Sequence, residues 1–430
     1  MKKDSFKMSI FILLVGGFIV KVLGLFIKIF FTRTVGVEGI SLYTIALPTY
    51  SLLITLAIFA LPTSISKLVS EKAYNNKYIL TSSLFLVLVL ESILVVIFYF
   101  SSPWIARNLL KQAAVSPILQ AMALTLPFIS LSSILKGYFL GKMKVAPNTI
   151  SNIIEQLIRI IFLIFVLPSL IQKNVMAGIV SFILISILTE IVSCFVFSLF
   201  LPKHIPIHKE DFKPRFDIIK RILETSVPCV SSRFIGNIGF FLEPIILTNL
   251  LLWRGFSNTY ILQEYAAYNA YAIGLLTMPS FFIAAIDQIL IPEISKHYAK
   301  KDFIRLKKRL SQALWYSFVI GLFFSVFICL FREHLLYALY KTNMGSSYIL
   351  ILAPFFVLFY LEAPLISTMQ GIGKANISFR ISFLAIVIKL LVMSLLCLCK
   401  FGLYSLVIAE IVDIMVVVLL EAHFLKKYLQ

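Results

Sequence analysis

The chain has 430 residues, of which 60% are hydrophobic and only 14% charged, and its mean hydropathy is +0.98. That balance excludes a soluble domain. The net charge of +19 invites a nucleic-acid reading, but the placement of the basic residues, taken below, points to membrane topology instead.

Twelve apolar windows of about 18 to 25 residues, each long enough to cross a hydrocarbon core, follow one another along the chain. They lie near 9–31, 41–62, 79–100, 118–140, 149–170, 178–201, 223–250, 265–290, 314–331, 347–370, 379–398 and 402–421. Helices satisfy their own backbone in lipid, so the windows predict an all-α polytopic bundle. Their continuity, without alternation, excludes a β-barrel. The start, MKKDSFKMSIFILLVGGFIV, has a basic stretch before an apolar run, as a secretory signal does. No small-x-small site follows and the run continues through Lys21, so a retained first helix is expected.

Within that first helix, GGFIVKVLGLFIKIFFTR places two lysines where hydrocarbon should be. Lys21 and Lys28 are seven residues apart and share one helix face at 100° per residue, with Gly17 and Gly24 in the same wedge. A charge at the bilayer centre costs about 2.5 to 3.5 kcal/mol even on lenient scales. Lys28, nearer the helix end, has the option of snorkelling. Lys21, about midway, needs either a water-filled, anion-attracting cavity or an ion pair inside the bundle.

Other charges within spans pose the same question. Glu155 and Arg159 are one turn apart and able to neutralise each other. Arg233 has no acid one turn away, Glu243 being about 15 Å along the axis. Lys389 sits alone in its span, as the second-half analogue of Arg159. Glu91, Glu190, Asp287, Glu362, Glu410 and Asp413 are the candidate counter-charges. Pro48, Pro127, Pro168, Pro228, Pro279, Pro354 and Pro364 fall in or near spans, where they bend helices and free carbonyls.

The polar interval LPKHIPIHKEDFKPRFDIIKR divides the chain near its midpoint. It predicts an N-terminal six-helix lobe over 1–201, a basic cytoplasmic linker over 202–222 and a C-terminal six-helix lobe over 223–430. The halves echo each other at offsets of about 220 to 230 residues, the pattern of an internal duplication. LPTSISKLVSEKAYNNKY is matched by IPEISKHYAKKDFIRLKK, and LGKMKVAPNTIS by GIGKANIS. Ile158-Arg159-Ile160 is matched by Ile388-Lys389-Leu390, and TEIV around Glu190 by AEIV around Glu410. With an even number of spans in each half, the pseudo-axis runs along the membrane normal. With the N-terminus in the cytoplasm, even-numbered connections and both tails hold most of the 39 Lys and Arg. That is the positive-inside asymmetry, and it predicts both termini on the cytoplasmic side, reinforced by anionic inner-leaflet lipids.

The five cysteines lie in apolar stretches without disulfide or zinc spacing, and the five histidines are scattered at span ends and in loops. There is no Walker sequence, no Gly-x-Ser-x-Gly and no His-Glu-x-x-His. The sequence therefore predicts neither an enzyme nor a bound cofactor or metal. H+, Na+ or the membrane potential is left to drive any transport cycle.

VKVLGLFIKIFFTRTVGVEGISLYTIALPTYSLLITLAIFALPTSISKLVSEK, LLTMPSFFIAAIDQILIPEISKHYAKKDFIRLKKRLSQAL and ILAPFFVLFYLEAPLISTMQGIGK carry a resemblance. They resemble the polysaccharide-export branch of the multidrug, oligosaccharidyl-lipid and polysaccharide exporter superfamily, and within it the sporulation-associated members. The resemblance implies two six-helix bundles around a V-shaped central cavity, in the bacterial cell membrane. It implies transbilayer movement of undecaprenyl-pyrophosphate-linked sugars for peptidoglycan, spore cortex or another envelope glycan. First-helix cations that meet the pyrophosphate in related lipid II flippases correspond here to Lys21, and further along to Lys28 and Arg33. Arg159, Arg233 and Lys389 complete the candidate substrate-binding set, Arg233 without a family role. Many relatives have fourteen spans, so the resemblance also implies that an extra lipid-tail groove is missing here. A cation-coupled multidrug exporter on the same scaffold is the alternative, although such exporters favour an acid where this first helix has lysines. A scaffold recruiting envelope-synthesis enzymes through its basic loops is the third.

Overall fold

The computed structural model describes residues 3–72, 74–201 and 214–429, with side chains from Val15 onward except at 232, 285 and 288. Residues 202–213, most of the predicted linker, lie outside the described residues. Those described form helices and short connections, with no strand among them. The first helix, α1 (Lys3–Ile58), contains one residue that no helix accommodates, Gly36 with φ 73° and ψ −178°. A straight helix would hold residues 31 and 43 about 18 Å apart along its axis. The rings of Phe31 and Tyr43 are 5.0 Å apart instead, so the chain bends sharply at Gly36 and α1 consists of two arms, 15–35 and 37–58. Phe59 and Ala60, both left-handed, then break the path before α2 (Leu61–Glu71).

The remaining elements follow in order. They are α3 (Asn76–Trp104), α4 (Ser116–Gly141), α5 (Ala146–Ile161), α6 (Leu167–Lys173), α7 (Val175–Phe200), α8 (Phe216–Trp253), α9 (Asn258–Ala266) and α10 (Gly274–Leu276). Then come α11 (Ser280–Ala299), α12 (Phe303–Tyr340), α13 (Ser346–Gly371), α14 (Ala375–Leu398) and α15 (Tyr404–Leu429). Among the described residues nine helical stretches are long and apolar enough to cross a membrane, ten when 258–276 and 280–299, bent by 53°, form one span. The first of the nine runs from Val15 to Glu71 and holds two of the twelve predicted windows. The last predicted window, 402–421, is helical as α15, but Glu410, Asp413 and Glu421 make it more charged than the nine. Of the prolines singled out, Pro279 sits at that 53° bend, whereas Pro48, Pro127, Pro354 and Pro364 lie inside continuous helices.

The chain separates into two compact units, Met1–Phe241 and Leu242–Gln430. The division falls inside α8, because the start of that helix is bound to the first unit. Ile218, Ile219 and Ile222 join the core formed by Leu61, Ile65, Ile79, Ile134, Phe139 and Phe197. The Arg215 guanidinium lies 3.5 Å from the centroid of Tyr78, and its backbone N–H donates to Ser82 Oγ at 3.1 Å. Residues 216–222 thus begin a helix because their apolar side faces a core.

Each unit also repeats one close helix contact. A Cβ on Gly141 of α4 would lie 2.7 Å from the Ser66 carbonyl oxygen of α2, and one on Gly371 of α13 would lie 2.7 Å from Ile294 of α11. The two glycines are 230 apart, as are Pro62 and Pro292 on the helices they meet. The halves differ in where the path breaks. In the first it breaks just before Leu61-Pro62, whereas α11 runs unbroken through Ile291-Pro292 and the break lies at 277–279.

Candidate functional site

The first arm of α1 presents its predicted stripe to open space. Gly16, beside the stripe, is buried, and a Cβ there would collide with Thr149 of α5. Nothing lies within 4 Å of a Cβ on Gly17 or Gly24, so these two glycines leave room where Gly16 makes a contact. Lys21, Lys28 and Arg33 are exposed, and none of them makes an ion pair among the described residues. Arg233 on α8 is also exposed and unpaired among them. Its carbonyl accepts from Asn237 Nδ2 at 3.1 Å, and Asn237 also donates to Thr55 Oγ1 of the second α1 arm at 2.9 Å.

Arg159 and Lys389 belong to different surroundings. In the first unit Glu155 does not pair with Arg159, the neighbour one turn away. It meets Lys136 of α4 at 3.3 Å, and the same ammonium lies 3.6 Å from Glu190 of α7. Ser132 donates to Glu190, Ser151 approaches Glu155 at 3.5 Å, and Ser151 and Ser193 share a hydrogen bond of 2.5 Å. Arg159 points to Thr189 Oγ1 at 3.4 Å. Three helices, α4, α5 and α7, therefore meet around one ammonium and two carboxylates. Elsewhere in this unit, Glu91 of α3 accepts from Ser130 of α4 at 2.5 Å.

The second unit repeats the theme with other helices. Lys389 of α14 lies 2.8 Å from Glu243 of α8 and 2.7 Å from Glu410 of α15, and Tyr265 donates to Glu243 at 3.2 Å. Asp413 is within electrostatic range of Lys389, and Glu362 of α13 within range of Asp413, Glu410 and Glu421. Carboxylates outnumber cations here. Glu190 and Glu410, equivalent by the repeat, both meet a lysine, but one lysine comes from the fourth span and the other from the eleventh. Lys136 is the participant that sequence reasoning missed; its position inside the 118–140 window was the available signal. Among the described residues no group of three or more His, Cys, Asp and Glu is placed to hold a metal ion.

Comparison with known proteins adds the lineage. Residues 6–298 match the family described as Polysaccharide biosynthesis protein, and residues 244–395 match MatE. The chain belongs to the polysaccharide-biosynthesis protein family. It is 30% identical to stage V sporulation protein B of Bacillus subtilis (strain 168) over 444 residues, covering 100% of this chain and 85% of that protein. It is also 30% identical to the lipid II flippase MurJ of the same organism over 169 residues, covering 36% and 31% of the two chains. An inward-facing multidrug resistance MATE family transporter of the MOP superfamily shares the fold. The TM-score is 0.76 at 17% identity, over 95% of this chain and 94% of that one. The family is thus the polysaccharide-export branch that the motif segments resembled, and its member here is a multi-pass membrane protein with a two-lobe helical fold.

Proposed function

We propose that this protein moves a lipid-linked oligosaccharide across the bacterial cell membrane by alternating access, the sugar being joined to its undecaprenyl carrier through a pyrophosphate. The observation that carries this reading is the contrast among the cations within spans. Lys136 and Lys389 are held by carboxylates, whereas Lys21 and Lys28 line an open glycine-bearing stripe, with Arg33 exposed further along the same arm, all without counter-charge among the described residues. A pyrophosphate brings the missing negative charge, and a lysine at depth lowers the cost of drawing it from the headgroup layer. Arg233 joins this anion-handling set. Arg159 and Lys389 act at one remove, by fixing helices. No covalent step is assigned, so the reading is of a transporter and not an enzyme. The distribution of Lys and Arg supports a cytoplasmic position for both termini.

The kinship with stage V sporulation protein B and with the flippase MurJ supports a peptidoglycan-type glycan, spore cortex included. The surplus of carboxylates around Lys389 supports coupling to H+ or Na+. That surplus also favours the second reading, a cation-coupled multidrug exporter. One experiment separates the two: follow exposure of a labelled lipid-linked precursor on the outer leaflet while the protein is depleted. Loss of exposure supports the flippase. Unchanged exposure with accumulation of cationic drugs supports the exporter.

A further inference from the structure

The largest charge anomaly outside the stripe lies where α11 hands over to α12. The segment KHYAKKDFIRLKKR, 296–309, holds seven Lys and Arg in fourteen residues. Ile304 within it is 85% exposed, an apolar side chain set among cations as at a membrane interface. Beside this segment the two helices enclose a groove of about 420 Å³, walled by Ile286, Ile289, Leu290, Ala313 and Tyr316. Its polar end is formed by Arg309, Gln312 and Glu293. Arg309 holds Glu293 at 3.6 Å and donates to Gln312 Oε1 at 3.2 Å. Lys296 at 3.9 Å and His297 at 3.5 Å face the same Glu293 carboxylate. One acid is thus shared by several basic groups, and the rim stays positive.

We propose that this groove binds one acyl chain of an anionic phospholipid, with its phosphate seated at Arg309 and the neighbouring lysines. Three observations agree on that occupant. The walls are apolar and the mouth is cationic, which is the polarity of an anionic lipid and opposes a cationic drug. At about 420 Å³ the groove has room to receive a single acyl chain. The basic segment also gathers anionic lipid from the facing leaflet. The inference is independent of the glycan reading, since it assigns a resident lipid to the second unit and not a transported one.

The test uses the purified full-length protein in vesicles doped with a phosphatidylglycerol or a phosphatidylcholine carrying a photoreactive acyl chain. Phosphatidylglycerol is expected to label peptides from 286–290 and 309–316 preferentially, and unlabelled phosphatidylglycerol to compete. Ala313→Phe fills the groove and should abolish that labelling. Ile289→Trp, at an exposed position, is the second groove-filling variant should the first fail to fold. Arg309→Gln should reduce the preference for phosphatidylglycerol roughly fivefold, the share of one interfacial cation, and Arg309→Lys should restore it. Equal labelling by the two lipids overturns the proposal, as does labelling that survives both filled grooves or yields more readily to a polyprenyl phosphate than to phosphatidylglycerol.

Discussion

Lys389 in the second unit and Lys21 in the first both sit within long apolar helices, yet their surroundings are opposite. Lys389 is 15% exposed and touches two carboxylates; Lys21 is exposed and touches none among the described residues. The difference teaches that depth alone does not assign a role to a charge. What matters is whether neighbouring helices already satisfy it. Lys136, 25% exposed between Glu155 and Glu190, lies nearer to Lys389 in kind.

The contrast can be broken by substitution, with stability as the common scale. Lys389→Ala leaves the buried Glu243 and the half-buried Glu410 without their cation and should cost about 3–5 kcal/mol, the penalty for breaking a buried pair. It should appear as a large drop in thermal transition temperature in detergent. Adding Glu243→Gln and Glu410→Gln to Lys389→Met should recover part of that loss. If the triple change is no more stable than the single one, the cluster is not an ion-pair lock. Lys136→Ala, at a more exposed site, should cost about 1.5–3 kcal/mol, and thermal melts of the two single variants side by side test that ordering. Gly36→Ala comes next: its φ of 73° with ψ near 180° is a region for glycine, so strain of about 1–3 kcal/mol is expected. No atom lies within 4 Å of the added methyl, so the cost is backbone alone, and other substitutions there should lose a similar amount.

Lys21→Gln sits at the bottom of the stability scale, within about 0.5 kcal/mol of the parent, and should nevertheless abolish transport. Complementation of a deletion strain measures the second effect and membrane protein level the first. Full complementation removes Lys21 from the site. Lys21→Arg should be milder, because the charge is kept while the geometry changes. A stability loss in Lys21→Gln matching that of Lys389→Ala erases the contrast altogether.

The parts legible in the sequence were those set by local physics. Spans followed from runs of apolar residues, and the stripe of Gly17, Lys21, Gly24 and Lys28 followed from helical spacing, since both properties belong to a single segment. Partners were another matter. Glu155 stands one turn from Arg159, and sequence distance favoured that pair, but α4 and α5 both pack against α7, which brings Lys136 to Glu155 first. Lys389 was aligned with Arg159 by the repeat; its carboxylates come from α8 and α15, a choice made by tertiary packing. The break before α2 was hidden because Phe59 and Ala60 carry no turn signature, although both adopt left-handed geometry. Gly36 falls in the interval expected between the first two windows, and what the sequence did not show is that a single residue makes the break while the helix continues on either side.

The contacts at Gly141 and Gly371 limit how each unit can deform. A slide of one residue along either helix pair is about 1.5 Å, and it would replace a hydrogen with a side chain where the gap to Ser66 or Ile294 leaves no room for a methyl. Shear between α2 and α4, or between α11 and α13, is therefore blocked in steps of whole residues. Each pair behaves as one stiff lever, and any cycle of movement has to bend at places such as Gly36 and the 277–279 break.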